Sequence, residues 1–129
     1  MTYGFKGYNK EQEKERKKMK LMIAGSRTIC KLDLSLYIPP EADWIITGGA
    51  QGIDTLAEQY ADLHRLSKTV LRPRYDVYGR AAPIKRNETM VDLADRILVI
   101  WDGKSKGTKH TIEYAEKQNK DMRIVLINV

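Results

Sequence analysis

The sequence predicts an α/β protein. The expected architecture is a Rossmann-like three-layer sandwich around a five-stranded, mainly parallel sheet in the order 3-2-1-4-5. Three observations lead there. Short apolar runs recur along the chain, segments of helical period separate most of them, and polar, glycine-bearing turns follow several of them. Runs that are apolar on both faces suit parallel strands covered on two sides. Alternation of strand and helix implies right-handed crossovers and a doubly wound sheet.

Taken in order, residues 1–18 come first. From Asn9 to Lys18 there is no apolar residue, so this stretch has no face to bury. It is expected as a charged, mobile extension, with the domain over 19–129. Lys20–Ala24 (KLMIA) reads as the first strand, ending at Gly25. Ile29, Leu32 and Leu36 then form a short stripe that predicts a helix over Thr28–Tyr37. Trp44–Thr47 (WIIT) is the second strand and runs into Gly48-Gly49. Ile53, Leu56, Ala57, Tyr60, Ala61 and His64 recur at helical spacing and predict the next helix. Thr69–Leu71 is a third strand, stopped by Arg72-Pro73. Pro73–Ile84 carries Tyr75, Tyr78, Gly79 and a second proline, and reads as a long connection of the functional or mobile kind. Arg86-Asn87 is expected to open another helix, with Asn87 as cap and Met90, Leu93 and Ala94 as its stripe. Ile97–Trp101 is the fourth strand. Thr108, Ile112, Ala115 and Asn119 mark the last helix, and Arg123–Ile127 is the fifth strand.

Composition narrows the function classes. The 129 residues include one cysteine and two histidines. That excludes a disulfide framework and a cysteine- or histidine-rich metal centre. No apolar run approaches the ~20 residues that cross a bilayer. The charged N-terminus does not read as a signal peptide, so a cytoplasmic protein is expected, with no cofactor or metal. The net charge of +6 is uneven. Residues 1–20 hold seven basic and three acidic residues and the remainder sixteen and fourteen, leaving +4 and +2. The overall basicity alone therefore does not make the domain a nucleic-acid binder. A second basic concentration comprises Arg65, Lys68, Arg72, Arg74, Arg80, Lys85 and Arg86, against Asp76.

Chemistry is expected where the polar turns gather. Gly25-Ser26-Arg27, Gly48-Gly49-Ala50-Gln51-Gly52 and Ser105-Lys106-Gly107-Thr108 each precede a predicted helix. In an open parallel sheet the strand C-termini share one edge, and ligands bind there. Helix N-termini at that edge offer free N–H groups and partial positive charge. Asp54 suits either the helix dipole or a ribose hydroxyl. Arg86 is placed to clamp phosphate. Trp101 and the Tyr75–Tyr78 segment are candidates to cover a base. Cys30 reads as a small buried hydrophobe, His64 as lying on a core-edge face, and Met19, Met22, Met90 and Met122 as core. His110 lies one turn into the last helix, near the expected site. The P-loop and dinucleotide fingerprints are absent, as is a nucleophile elbow.

The segments MIAGSRT (Met22–Thr28), IITGGAQGIDTLAEQYA (Ile45–Ala61), KRNETM (Lys85–Met90) and LVIWDGKSKGTKHTIEYA (Leu98–Ala115) together resemble the SLOG superfamily. That superfamily joins the Smf/DprA DNA-processing proteins and the LOG proteins. The short form with GSR after the first strand looks most like its stand-alone YspA/YpsA-related branch. The resemblance implies binding of a nucleotide or nucleotide-derived ligand, as sensor or processing protein. It implies contacts from Gly25, Ser26, Arg27, Gly48, Gly49, Gly52, Asp54, Arg86, Asn87, Ser105, Gly107 and Thr108. It also implies two alternatives: N-glycosidic hydrolysis of nucleotides as in LOG proteins, and single-stranded DNA binding as in DprA. Arg86 and Gly107-Thr108 match the LOG pattern, but its two Glu positions are here His110 and Thr111. Whether the protein is an enzyme stays open at this point. A homodimer is the expected assembly.

Overall fold

The computed structural model describes residues 17–128, so the expected extension over 1–18 lies almost wholly outside the described residues. The chain forms a five-stranded sheet in the order β3-β2-β1-β4-β5. The strands are β1 (Met19–Gly25), β2 (Ala42–Thr47), β3 (Ser67–Val70), β4 (Arg96–Trp101) and β5 (Asp121–Leu126). Every pairing is parallel. The helices are α1 (Ile53–Leu63), the single turn α2 (Tyr75–Tyr78), α3 (Ala82–Leu93) and α4 (Lys106–Lys117).

Period-two alternation along the central strands divides the core. Leu21 and Ile23 of β1 face α1 and join Ile45, Ile53, Ala57, Leu98 and Ile100. Met22 and Ala24 face the other way, toward α3 and α4, with Ile46, Met90, Val91, Ile97, Val99 and Ile112. Both layers are almost completely shielded from water. Met19 and Met122 pack on them from partly buried positions. The edge strands are barer. Ile124 and Leu126 of β5 are exposed, because α4 packs over β4 rather than β5.

The expected helix over Thr28–Tyr37 is replaced by loop and one 3₁₀ turn, Leu34–Leu36. Asp33 Oδ1 accepts from both the amide and hydroxyl of Ser35, Pro39-Pro40 follows directly, and Thr28 and Ile29 are β-branched. The buried set is Ile29, Leu34 and Ile38, whereas Leu36 is 70% exposed. Cys30 is also exposed on this loop, contrary to expectation, and its thiol reaches toward Arg27 O at 3.7 Å. His64 is exposed at the end of α1 rather than on a core edge. Its ring lies 4.2 Å from that of Tyr60, one turn earlier.

The Pro73–Ile84 connection is shorter than its composition suggests. It contains α2, the 3₁₀ turn Gly79–Ala81 and the start of α3. Pro83 sits in the first turn of α3, where its fixed φ and missing N–H are tolerated. Arg86-Asn87 therefore lies in the second turn of α3 and does not open it, and Asn87 is not the cap. Among the described residues no helix is long and apolar enough to cross a membrane.

Candidate functional site

The C-terminal ends of β1, β2 and β4 converge on an open cleft of about 460 Å³. Eight of the twelve expected residues line it: Gly25, Arg27, Asp54, Arg86, Asn87, Ser105, Gly107 and Thr108. A second cleft of about 420 Å³ adjoins it and takes in Gly48 and Gly49. Arg27, Ala50 and Arg86 belong to both.

Ser26 and Gly52 line neither. Ser26 is buried, and its hydroxyl accepts the Asp102 N–H at 3.0 Å, tying β1 to the turn after β4. Gly52 caps α1 at φ 76°. A Cβ there would lie 2.5 Å from Arg27 O, so a bare α-carbon lets these two turns touch. Gly25 is likewise a packing glycine, because a Cβ would collide with Ile100 O and the Ile53 side chain. Gly107 is different. It occupies the first turn of α4 at an ordinary φ, and a Cβ would meet nothing within 4 Å. No packing reason requires glycine there, and glycine weakens a helix relative to alanine.

Arg86 reaches back from α3 across the edge of the sheet. Its Nη1 donates to Gly48 O at 2.6 Å and to Leu71 O at 3.1 Å, and its Nε to Asn87 Oδ1 at 2.7 Å. Guanidinium carries five N–H donors, so the two on Nη2 have no partner among the described residues. Arg27 is exposed, and its side chain makes no hydrogen bond or ion pair with a described residue. Burial lowers the pKa of Arg86. The Asp54 charge opposes that shift and the Arg27 charge adds to it.

Asp54 is 7% exposed. Burial pushes its carboxyl above the ordinary carboxylate range. The Ala50 N–H, donated to Oδ2 at 3.1 Å, pulls the other way, as does the nearby charge of Arg86. The Thr47 hydroxyl also favours the charged form, although it is buried and has no partner at hydrogen-bond distance. Asp54 thus staples the Gly48–Gly52 turn while facing the cleft.

Asp102 organises the third turn. Its Oδ1 accepts the N–H groups of Lys104 and Ser105 at 2.8 and 2.9 Å, and its Oδ2 accepts the Thr28 hydroxyl at 3.2 Å. The Ser105 and Lys104 N–H groups hold its carboxyl below the usual range. Ser105 caps α4 by accepting from Thr108 N and Oγ1. Among the described residues, the first-turn N–H groups of Lys106 and Gly107 have no partner, nor do those of Arg27 and Thr28. The cleft therefore combines free donors, a helix N-terminus and two guanidinium groups, a set suited to an anion.

Other expected residues fall elsewhere. The Trp101 Nε1 donates to Ser105 O at 3.1 Å and its ring packs on the core, outside both clefts. Tyr75 lines the second cleft, whereas Tyr78 lines neither. His110 turns to Glu88 of α3 at 3.1 Å. Thr111, buried in the cleft wall, donates to Gly107 O. The basic concentration is partly neutralised, with Lys68 on Glu58 and Asp62 and Arg74 on Asp76. Arg72 Nη1 donates to Gly49 O. Asp102 escaped the sequence reading because Asp-Gly after a strand reads as a stop signal. Its triple acceptor role depends on Thr28, which lies 74 residues away.

Comparison with protein-family models, curated proteins and solved structures finds no match to this chain.

Proposed function

We propose that this protein binds a nucleotide or nucleotide-derived ligand at the C-terminal edge of its sheet, in the manner implied by its resemblance to the SLOG superfamily. The observation that carries the reading is the pair Arg27 and Arg86. The Arg27 side chain has no hydrogen-bond or ion-pair partner among the described residues, and Arg86 keeps two N–H donors free of them. Both open on a cleft that also receives Gly107 and the first turn of α4. Phosphate meets the guanidinium groups and the backbone N–H groups, and a sugar hydroxyl meets Asp54 or Asn87. The bare α-carbon of Gly107 gives an anion close access to the helix terminus.

The glycosidic-hydrolase alternative has less support. His110 is directed to Glu88, and Thr111 donates to its own helix. No carboxylate comes from those two positions to stabilise an oxocarbenium-like transition state. The single-stranded DNA alternative is weakened by the internal pairing of Lys68 and Arg74.

The decisive variant is Arg27→Ala. An exposed side chain without partners changes stability by no more than about 0.5 kcal/mol when truncated. In a thermal-shift and calorimetric screen of nucleoside mono-, di- and triphosphates, wild type is expected to bind at least one and Arg27→Ala to bind it at least tenfold more weakly. Equal binding by both proteins removes the arginine clamp from the reading. A screen in which only single-stranded DNA shifts the melt replaces it with the DNA alternative. Following a bound nucleotide by chromatography separates sensing from turnover.

A further inference from the structure

The two clefts meet at a shared wall. Arg27, Ala50 and Arg86 belong to both. The main cleft beyond this wall presents polar groups from Asp54, Asn87, Ser105 and Thr108. The second cleft is lined by the Gly48–Gln51 turn, Pro73 and Tyr75. Its character differs, since Tyr75 is an aromatic ring with 60% of its surface exposed. It shares that cleft with the Gly48–Gln51 turn, whose Gly48 and Gly49 α-carbons pack against the Arg86 and Arg72 side chains.

Each cleft alone lies toward the lower end of the roughly 300–1,000 Å³ that small-molecule sites span. A ligand confined to one would leave the other empty and would meet the arginines from one side only. Two guanidinium groups that line the wall shared by both clefts are neutralised together by an anion lying between them.

We infer that the ligand is two-armed: two nucleoside- or sugar-sized units joined by a pyrophosphate that lies between Arg27 and Arg86. One arm stacks on Tyr75 in the second cleft. The other lies beside Asp54 and Asn87 in the main cleft. Two phosphates balance two guanidinium charges, and the Arg27 guanidinium together with the two N–H groups on Arg86 Nη2 can donate to them. This inference rests on the nucleotide-binding reading above and specifies its ligand class.

The test is calorimetric titration with ADP-ribose, NAD, and sugar diphosphates of guanosine, uridine and cytidine, each beside its own nucleoside monophosphate. One bridged compound is expected to bind at least tenfold more tightly than its monophosphate. Tyr75→Ala, a change at an exposed position, is expected to weaken that compound roughly tenfold by removing one stacked ring. The inference is overturned if the best monophosphate binds within about threefold of its bridged form. It is also overturned if Tyr75→Ala leaves the bridged compound's affinity unchanged, because the second cleft is then unused. If monophosphates bind and bridged compounds do not, nucleotide binding stands and the two-armed ligand falls. If nothing in the panel binds to wild type, both fall together.

Discussion

Arg86 Nη1 lies 2.6 Å from Gly48 O, a hydrogen bond that joins residues 38 apart in sequence. The same nitrogen occupies the space beside the Gly48 α-carbon, where a Cβ would come within 2.6 Å of it and 2.9 Å of Asp54 Oδ2. The absence of a side chain at Gly48 is what lets an arginine from α3 and a carboxylate from α1 converge on the end of β2.

Gly48→Ala is therefore expected to push Arg86 and Asp54 apart. Overpacking of this kind costs about 1–3 kcal/mol, to be read as a lower denaturation midpoint in urea. Nucleotide affinity should fall with it. An unchanged midpoint would show that the two side chains move aside freely.

Arg86→Ala and Arg27→Ala should separate cleanly. Losing Arg86 leaves Gly48 O and Leu71 O without their side-chain donor and costs about 1–3 kcal/mol. Losing Arg27 should leave the melting curve in place. Paired melts and titrations of the two variants check this, and equal stability losses would contradict the assigned roles.

Gly107→Ala is expected to raise stability by about 0.5–1 kcal/mol, because the position is helical and a Cβ there meets open space. The same methyl group intrudes where an anion approaches the helix terminus, so affinity should drop. A more stable variant with undiminished affinity would show that the ligand does not approach this α-carbon.

Asp54 imposes a definite pH dependence. Its carboxyl is raised in the folded protein, so the native state holds this proton more tightly than the unfolded chain. Stability from this group is fully present below the ordinary carboxylate value near 3.8, and is lost as pH rises through the raised value. Asp54→Asn retains an acceptor for the Ala50 N–H and should flatten that decline in urea melts taken between about pH 4 and 7. A decline of the same slope in the variant would assign it to another group.

Asp102 carries the opposite sign. Its lowered pKa means that its contribution is present above the ordinary carboxylate value. The contribution is lost as pH falls through the lowered one. Acidification should therefore release the Lys104 and Ser105 amides first. Protection of those two amides, taken relative to intrinsic exchange at each pH, should fall at low pH in wild type and be weak at every pH in Asp102→Ala.

The frame of the fold is written in local residue patterns. Runs apolar on both faces, such as Leu21–Ala24 and Ile97–Ile100, specify buried parallel strands locally, and the glycine turns that follow them gather at one edge of a parallel sheet. The alternation of strand and helix follows from that local information. Tertiary structure alone decided the rest. The Ile29–Leu36 stripe looked helical, but Asp33 and the prolines turned the chain and buried Ile29, Leu34 and Ile38 instead. Pro83 looked like part of a loop, yet it sits inside the first turn of α3 and moves Arg86 one turn further in. Which glycines serve packing and which face open space was also unreadable. Gly25 meets Ile100 O and Gly52 meets Arg27 O, contacts between segments far apart in the chain. Such contacts arise only when the strands assemble, because a glycine's reason for being bare lies in the atoms opposite it.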